Sequence, residues 1–595
     1  MTGDAAYSLG GEERSIMSDI GSEPGRATVF TGGQVVTMDP DDAVHESLLM
    51  RDGKVVATGT EEEMRSLAGS GAERVPLDGR TVMPGIVDTH PHLLSWAAFK
   101  HAVVDLFDCR DWNDIVERIR EAAAKTPKGE WIRCSPIGEP HYFLRRSWRD
   151  LAEGELPTRE ILDAAAPDHP VWIQAWAPVN PNTTVFNTRG LWNIQVSRNT
   201  PDQVGRVFIE KDGAGEPTGR FSGAVNNYYN NEPWWDSVLA RIALITGEDF
   251  VEGAVTGMAA ANSFGVTSVF EGHMMDFATI DVYRMHRAAG SLSLRVLCTP
   301  DGEPHGLADS VALSEDELRD RLERLYDLQE MTDDFFRVEG LLATRGGPLG
   351  PGQQIFTHNY RNAYGAWTNG LEWLPEWKGQ LMIDFAAERG MRLNVISVGD
   401  REHDTTLRQI LEAERKFGST ADQNYILQHA YTLSEDHARR FRDQGFDITT
   451  SMSFSFFKQH VYWERMGSKV LRDLIPLRRE IDFGFDVACG SDWGPENIWE
   501  HIAFGETHEG MFGGSNAGPA QNISRLESIA TWTRNGAKVM RWKGIGSLRP
   551  GHHADLIVVD RDPLSCSTEA LKETRVNLTL LGGRAVHDDG TVSAV

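Results

Sequence analysis

Apolar and polar positions follow one pattern at the two ends of the chain and another between them. From Ala27 onward, short apolar runs are broken at glycines. ATVFTGGQVVTMD reads as two short strands across a Gly-Gly turn, and SLLMRDGKVVATG as a hairpin turning at Asp52-Gly53. Residues 60–67 suit one short helix. GHHADLIVVDRDP and VNLTLLGGRAVHDDGTV repeat the short-strand pattern at the far end. The spacing predicts that residues 27–80 and 545–595 pair into a small composite β-sandwich domain, with two separate strand-rich caps as the alternative.

Between the ends, strand-length apolar runs alternate with helical spacing. This is the α/β pattern of a parallel sheet with helical crossovers. DWNDIVERIREAAAK places Trp112, Ile115 and Ile119 on one helical face, and SEDELRDRLERLYDLQ opens with the capping-box pair Ser314 and Glu317. EDFVEGAVTGMAAANSFG stops at Gly265, and QLMIDFAAERG at Gly390. GEWIRCSPI, HPVWIQAW, VTSVFEGH, MRLNVISVGD, NYILQHAYT, FDITTSM and FDVACGSDWGP read as strands. The rhythm predicts a (β/α)8 TIM barrel over 81–544. A doubly wound open sheet is the alternative, although no glycine-rich nucleotide fingerprint follows an early strand. Two stretches exceed a minimal barrel, 176–236 and 343–378, both rich in Asn, Pro, Gly and Trp. Long insertions of this kind build the mouth of a site or, through their aromatics, an interface between two copies of the chain, so a homodimer is one expectation.

Composition narrows the classes. The 595 residues exceed one ordinary core, and 40% hydrophobic with 25% charged residues is a globular balance. A formal net charge of −28 repels phosphate backbones, which argues against nucleic acid as a partner and says nothing about the substrate, since a local pocket can differ from the whole. Cys109, Cys134, Cys298, Cys489 and Cys566 lack paired spacing, which suits free thiols in a reducing cytoplasm. Residues 1–26 are Gly-, Ser- and acid-rich with no apolar signal core and are expected to be disordered. No stretch is long and apolar enough to cross a membrane.

The candidate chemistry starts at residues 81–93, TVMPGIVDTHPHL, which reads as a buried strand ending in His90 and His92. Residues i and i+2 of a strand share a face, so both imidazoles can reach one point. His429 near the end of NYILQHA and Asp492 at the end of FDVACGSD add a third nitrogen and an oxygen, a set suited to a divalent metal. Each alone has an ordinary structural explanation; together they fall at strand ends in barrel order. Trp493 and the tryptophans of the insertions, Trp234, Trp235, Trp367, Trp373 and Trp377, together with Trp499, would line the mouth for an aromatic substrate, with loop packing as the alternative. Arg345 suits a bidentate contact to a substrate carboxylate.

The segments VMPGIVDTHPHL, ANSFGVTSVFE, ILQHAYTLSEDHARRF, VACGSDWG and ESIATWTRNGAKVMRWKGIGSLRPGHHADLIVVDRDPL resemble the amidohydrolase superfamily, in the branch of N-substituted formamide deformylase-like proteins. The resemblance runs from about Ala27 to the C-terminus. It implies a (β/α)8 barrel with a composite β-sandwich, a metal that activates water for attack on a C–N bond, and an aspartate, here Asp492, that is both ligand and general base. The chain departs from the branch in three places: Leu342 stands where a bridging lysine is normal, Ile396 where a histidine opens an HAIGD-like motif, and Asn182 where the insertion carries a histidine. These losses remove the basis for a two-metal centre and leave His90, His92, His429 and Asp492 for one metal, zinc first, with manganese or iron as alternatives; His429 is either a ligand or a carbonyl contact. Glu271, His273, His403, Lys458 and His460 are nearby substitutes, expected to serve as pocket or loop residues; with Asn182, Arg345 and Trp493, Glu271 and His273 are the expected substrate contacts. The expected activity is hydrolysis of an amide, formamide or related C–N bond of a small molecule. A mononuclear decarboxylase or other lyase, and a metal-free binding or isomerising barrel, are the alternatives.

Overall fold

The computed structural model describes residues 25–138, 145–175, 181–227, 232–242, 244–303, 313–495, 497–510 and 519–594. Of the segment expected to be disordered, residues 1–24 fall outside them.

Strands from both chain ends meet in one six-stranded sheet. Its order is Arg584–Asp588, Val576–Leu581, Leu556–Val559, Thr81–Pro84, Gln34–Val36, Val44–His45. A four-stranded sheet, Lys54–Gly59, Ser47–Arg51, Ala27–Thr31, Glu73–Pro76, lies against it. Phe30, Val35, Leu48, Val75, Val82, Leu556 and Leu578 form their common buried core. The alternating apolar positions of these short strands supply that core, as the period of two requires.

The stretch expected to be one strand is two. Thr81–Pro84 pairs antiparallel with Leu556–Val559 in the terminal sheet, whereas Ile86–Asp88 pairs parallel with Val266–Glu271. Gly85 makes the crossing: its amide donates to Asp555 O, and a Cβ at this position would lie 2.2 Å from Thr267 Oγ1. Only a residue without a side chain lets the backbone pass there.

From Ile86 the fold is mixed α/β and TIM-barrel-like. One parallel sheet runs Phe336–Val338, Arg295–Cys298, Val266–Glu271, Ile86–Asp88, and a second runs Leu341–Thr344, Leu393–Ile396, Ile426–Gln428, Asp447–Thr450, Val487–Cys489. The parallel bridge Asp301–Leu342 joins them on one side; on the other, Thr89 N donates to Cys489 O at 3.3 Å. Helices expected from the apolar spacing are present, among them Glu315–Asp327 with its Ser314/Glu317 capping box and Glu376–Arg389 ending at left-handed Gly390.

The membership of the barrel-like sheets differs from the sequence expectation. Ile132–Cys134 and Val171–Ile173, counted with the barrel by their alternation, sit instead in a separate six-stranded sheet with Asn182–Phe186, Pro217–Gly223, Val207–Lys211 and Gln203–Val204. Arg295–Cys298 and the segments Phe336–Val338 and Leu341–Thr344 take the barrel-like positions. The insertion at 176–236 is thus largely a folded sheet, with Trp172, Phe186, Phe221 and Trp235 in a core of its own.

Candidate metal centre

The strand that leads into the site ends at Asp88, before the histidines. Thr89 to His92 turn into the helix Leu93–Ala102, with His92 at its N-cap in the left-handed region at φ 48°. The shared face of a strand therefore does not bring the two imidazoles together; this turn does. Their rings stand at 86° to one another with Nε2 atoms 3.1 Å apart.

Asp492 arrives from the opposite end of the sheet order, three residues past Val487–Cys489 and also left-handed, at φ 67°. Its amide donates to His90 O at 2.7 Å, and its Oδ1 lies 3.1 Å from His90 Nε2 and 3.4 Å from His92 Nε2. Asp88 holds the two strand tips in register: Oδ1 accepts from His90 N and Ser491 N, and Oδ2 from Ser491 Oγ. Burial pushes its carboxyl up to about 6 against those hydrogen bonds. Gly490 allows the approach, since a Cβ there would lie 2.4 Å from His90 N.

His90, His92 and Asp492 are all buried, and each offers a ligand atom within 4.8 Å of the others. Two imidazole nitrogens and a carboxylate oxygen aimed at one point are a poor set of mutual partners, because they bring together lone pairs that only protons or a cation reconcile. The donor set and its convergence fit a divalent metal.

His429, left-handed at φ 71°, packs its ring 4.6 Å from that of His90, yet it is not part of the convergent group. His273 lies 5.1 Å from His92, ring to ring. Burial first, then the neighbouring imidazoles, drive both His273 and His429 well below the usual histidine range. Glu271 acts on the scaffold: its Oε1 accepts from Leu94 N at 3.2 Å, in the first turn after His92, and from Tyr283 Oη at 2.7 Å.

A cleft adjoins the cluster, lined by His273, His429, Thr344, Gly346, Trp373, Ile396, Val398, Tyr431 and Lys458. Of the expected mouth tryptophans, Trp373 lines it and Trp493 sits 6.1 Å from His92, ring to ring. Trp235 and Trp499 are buried in packing, Trp234 packs against the core of the inserted sheet, and Trp367 and Trp377 are exposed. Arg345 faces elsewhere. Thr344 points into the cleft, so its neighbour takes the other face; Arg345 is buried against Gly379, donates to Gln409, and lines a separate cavity with Glu402 and Glu372. Asn182 lies on the inserted sheet, apart from the residues that line the cleft. His403 packs 5.1 Å from His437 and accepts or donates at Ser397 Oγ, away from the cluster, with burial pushing it down to about 3. His460 is exposed.

Lys458, expected as a pocket or loop residue, does line the cleft. The helix Ser453–Met466 carries it inward. Its Nζ donates to Tyr431 Oη at 2.7 Å and lies 3.7 Å above the Phe454 ring and 3.9 Å above that of Tyr431. Burial pushes its ammonium down to about 7.

Residues 73–587 match the Amidohydrolase family, and the chain belongs to it. Among characterised relatives it is 26% identical over 589 residues to the N-substituted formamide deformylase of Arthrobacter pascens, covering 94% of this chain and 98% of that one. An uncharacterized metal-dependent hydrolase from Pyrococcus horikoshii OT3 superposes with TM-score 0.67 at 19% identity, over 91% of this chain and 99% of that one. An atrazine chlorohydrolase, TrzN from Arthrobacter aurescens, solved with zinc and atraton, superposes with TM-score 0.51 at 14% identity, over 94% and 95%. Family and fold together with the donor cluster support a metal-dependent hydrolase. Among the described residues, no helix is long and apolar enough to cross a membrane.

Proposed function

We propose that this chain hydrolyses an amide, formamide or related C–N bond of a small molecule, using one divalent metal held by His90, His92 and Asp492. The observation that carries the reading is the meeting of those three buried donors at one point, from opposite ends of the strand order. A metal bound there supplies the Lewis acidity that makes water nucleophilic near neutral pH. Asp492 takes a proton from the attacking water and passes it to the leaving nitrogen, general base then general acid at the same carboxylate. His429 and His273, held neutral by burial, present hydrogen-bonding nitrogens to the substrate without adding charge. His429 is thereby read as a substrate contact beside the metal. Trp493 and Trp373 offer flat apolar walls for a bulky or aromatic substituent.

One metal rather than two is the reading favoured by Leu342 and Ile396, which carry no ligand atom in their side chains. Zinc is the proposed ion, as in the triazine-hydrolysing neighbour. We further read the two parallel sheets as a closed (β/α)8 barrel and the two terminal sheets as one composite sandwich.

The test combines metal analysis with product analysis. Purified protein is expected to hold about one zinc, manganese or iron per chain and to release an amine and a carboxylate from a panel of N-substituted formamides and amides. Two fully occupied sites would overturn the mononuclear reading; carbon dioxide as product would replace the hydrolase with a lyase; metal-free protein that binds these molecules unchanged would remove the enzyme altogether.

A further inference from the structure

We propose that Lys458 Nζ, held against Tyr431 Oη, is the group that receives the substrate's carbonyl oxygen in this cleft and stands in for a second metal ion. The inference rests on the hydrolase reading above and adds a residue to it.

The cleft wall facing the donor cluster is largely apolar. Thr344, Ile396 and Val398 line it, at the ends of the strands Leu341–Thr344 and Leu393–Ile396 or just beyond. None of them can carry charge. Into that wall a different element, the helix Ser453–Met466, delivers one ammonium. Its placement is fixed on several sides: Phe454 and Tyr431 present ring faces at 3.7 and 3.9 Å, and the two rings meet edge to face with centroids 4.5 Å apart. Tyr431 in turn packs 4.9 Å from His429, ring to ring, so the ammonium and the metal-side imidazoles border the same space. Because Nζ donates to Tyr431 Oη, the phenol hydrogen points away from the ammonium.

Amide hydrolysis needs a cation or strong donor at this place. When water oxygen adds to the carbonyl carbon, the C=O π pair moves onto oxygen. The C–N bond then breaks as that pair returns, and nitrogen leaves with the proton carried by Asp492. A preorganised donor aimed at the developing charge, in a site shielded from water, lowers the barrier to both steps. Aromatic faces hold a cation in place without neutralising it, and a buried ammonium is stabilised when an anionic oxygen arrives. The substrate this selects presents an acyl oxygen toward Lys458 and its nitrogen substituent toward the tryptophans.

The experiment uses the zinc-loaded full chain with Lys458→Met, Lys458→Arg and Tyr431→Phe, and N-benzylformamide as substrate. Lys458→Met is expected to lower kcat by ~100-fold with KM nearly unchanged, the magnitude of losing one oxyanion donor. Lys458→Arg should recover about tenfold, since the charge returns in a different shape. Zinc content should stay at wild-type level in all three, which also reports folding. Independently of turnover, formate and acetate should raise the melting temperature of the wild type and need ~10-fold higher concentration to do so in Lys458→Met. A kcat within about threefold of wild type in Lys458→Met, or equal carboxylate binding by both proteins, overturns the assignment. If the wild type turns over none of the panel, the substrate reading has failed, and the carboxylate titration still decides the role of Lys458.

Discussion

On one side of the cleft the tips of the first and last barrel-like strands are stitched together. Thr89 N and Oγ1 reach Cys489 O, Asp88 binds both His90 N and Ser491, Asp492 N reaches His90 O, and Gly494 N reaches Pro91 O at 2.7 Å. Across from it, Ile396 and Val398 offer only hydrocarbon, and among the described residues that line the cleft the lysine comes from a helix by way of a long flexible side chain. The difference teaches that the two walls do different work. Ligands for a cation must be set within a fraction of an ångström, so they are carried on backbone locked by several short hydrogen bonds. A wall that only shapes a cleft needs no such locking, and here Ile396 and Val398 present apolar side chains.

The strongest way to break this comparison is at the stitched side. Asp492→Asn should lower turnover by at least ~1,000-fold, since the amide can neither accept the proton nor match the charge of the carboxylate; steady-state rates with metal analysis measure it, and near-normal turnover would remove Asp492 from the chemistry. Gly490→Ala comes next. Its Cβ would press on His90 N, so turnover and zinc retention should fall by about tenfold or more while the fold persists, because a misplacement of ~1 Å at reacting groups is worth up to about 100-fold. Metal affinity measured by competition with a chelator separates this from a global loss. The smallest effect lies outside both walls, at Glu480. This carboxyl is fully buried, neither of its oxygens has a hydrogen-bond partner among the described residues, and burial pushes it up to about 8. A folded value above the unfolded one means that stability declines as pH rises from the ordinary carboxylate range toward 8. Glu480→Gln should therefore melt like wild type at pH 4 and about 2 °C higher at pH 8, with activity unchanged.

The site could be read from the sequence where its residues keep fixed neighbours in the chain. His90, His92 and Asp492 follow apolar runs long enough to be strands, and the structure brings these three together. The reason given for the histidine pair was not the operative one, because the strand ends two residues early and a left-handed turn does the aiming. Arg345 could have been placed by parity, since a strand that turns Thr344 inward turns its successor outward. Lys458 was harder. SFSFFKQHVYWERM is crowded with aromatic residues that weigh little toward a helix, so its pattern names Lys458 as a pocket or loop residue without showing that a helix carries it inward after the strand Asp447–Thr450. The short runs at Ile132–Cys134 and Val171–Ile173 have barrel-like composition, and periodicity cannot tell which sheet a buried three-residue strand joins.

His92, His429 and Asp492 all occupy the left-handed backbone region, where side chains other than glycine, asparagine, aspartate and histidine are uncommon. The vocabulary open to drift or directed evolution at these three positions is correspondingly short. Exchanging one ligand type for another among histidine, aspartate and asparagine leaves the main chain undisturbed, whereas valine, isoleucine or threonine would strain the main chain as well as lose the donor. A mutagenesis library meant to retune the preference for one cation over another should be drawn from that short alphabet, and its wider diversity spent on the hydrocarbon side.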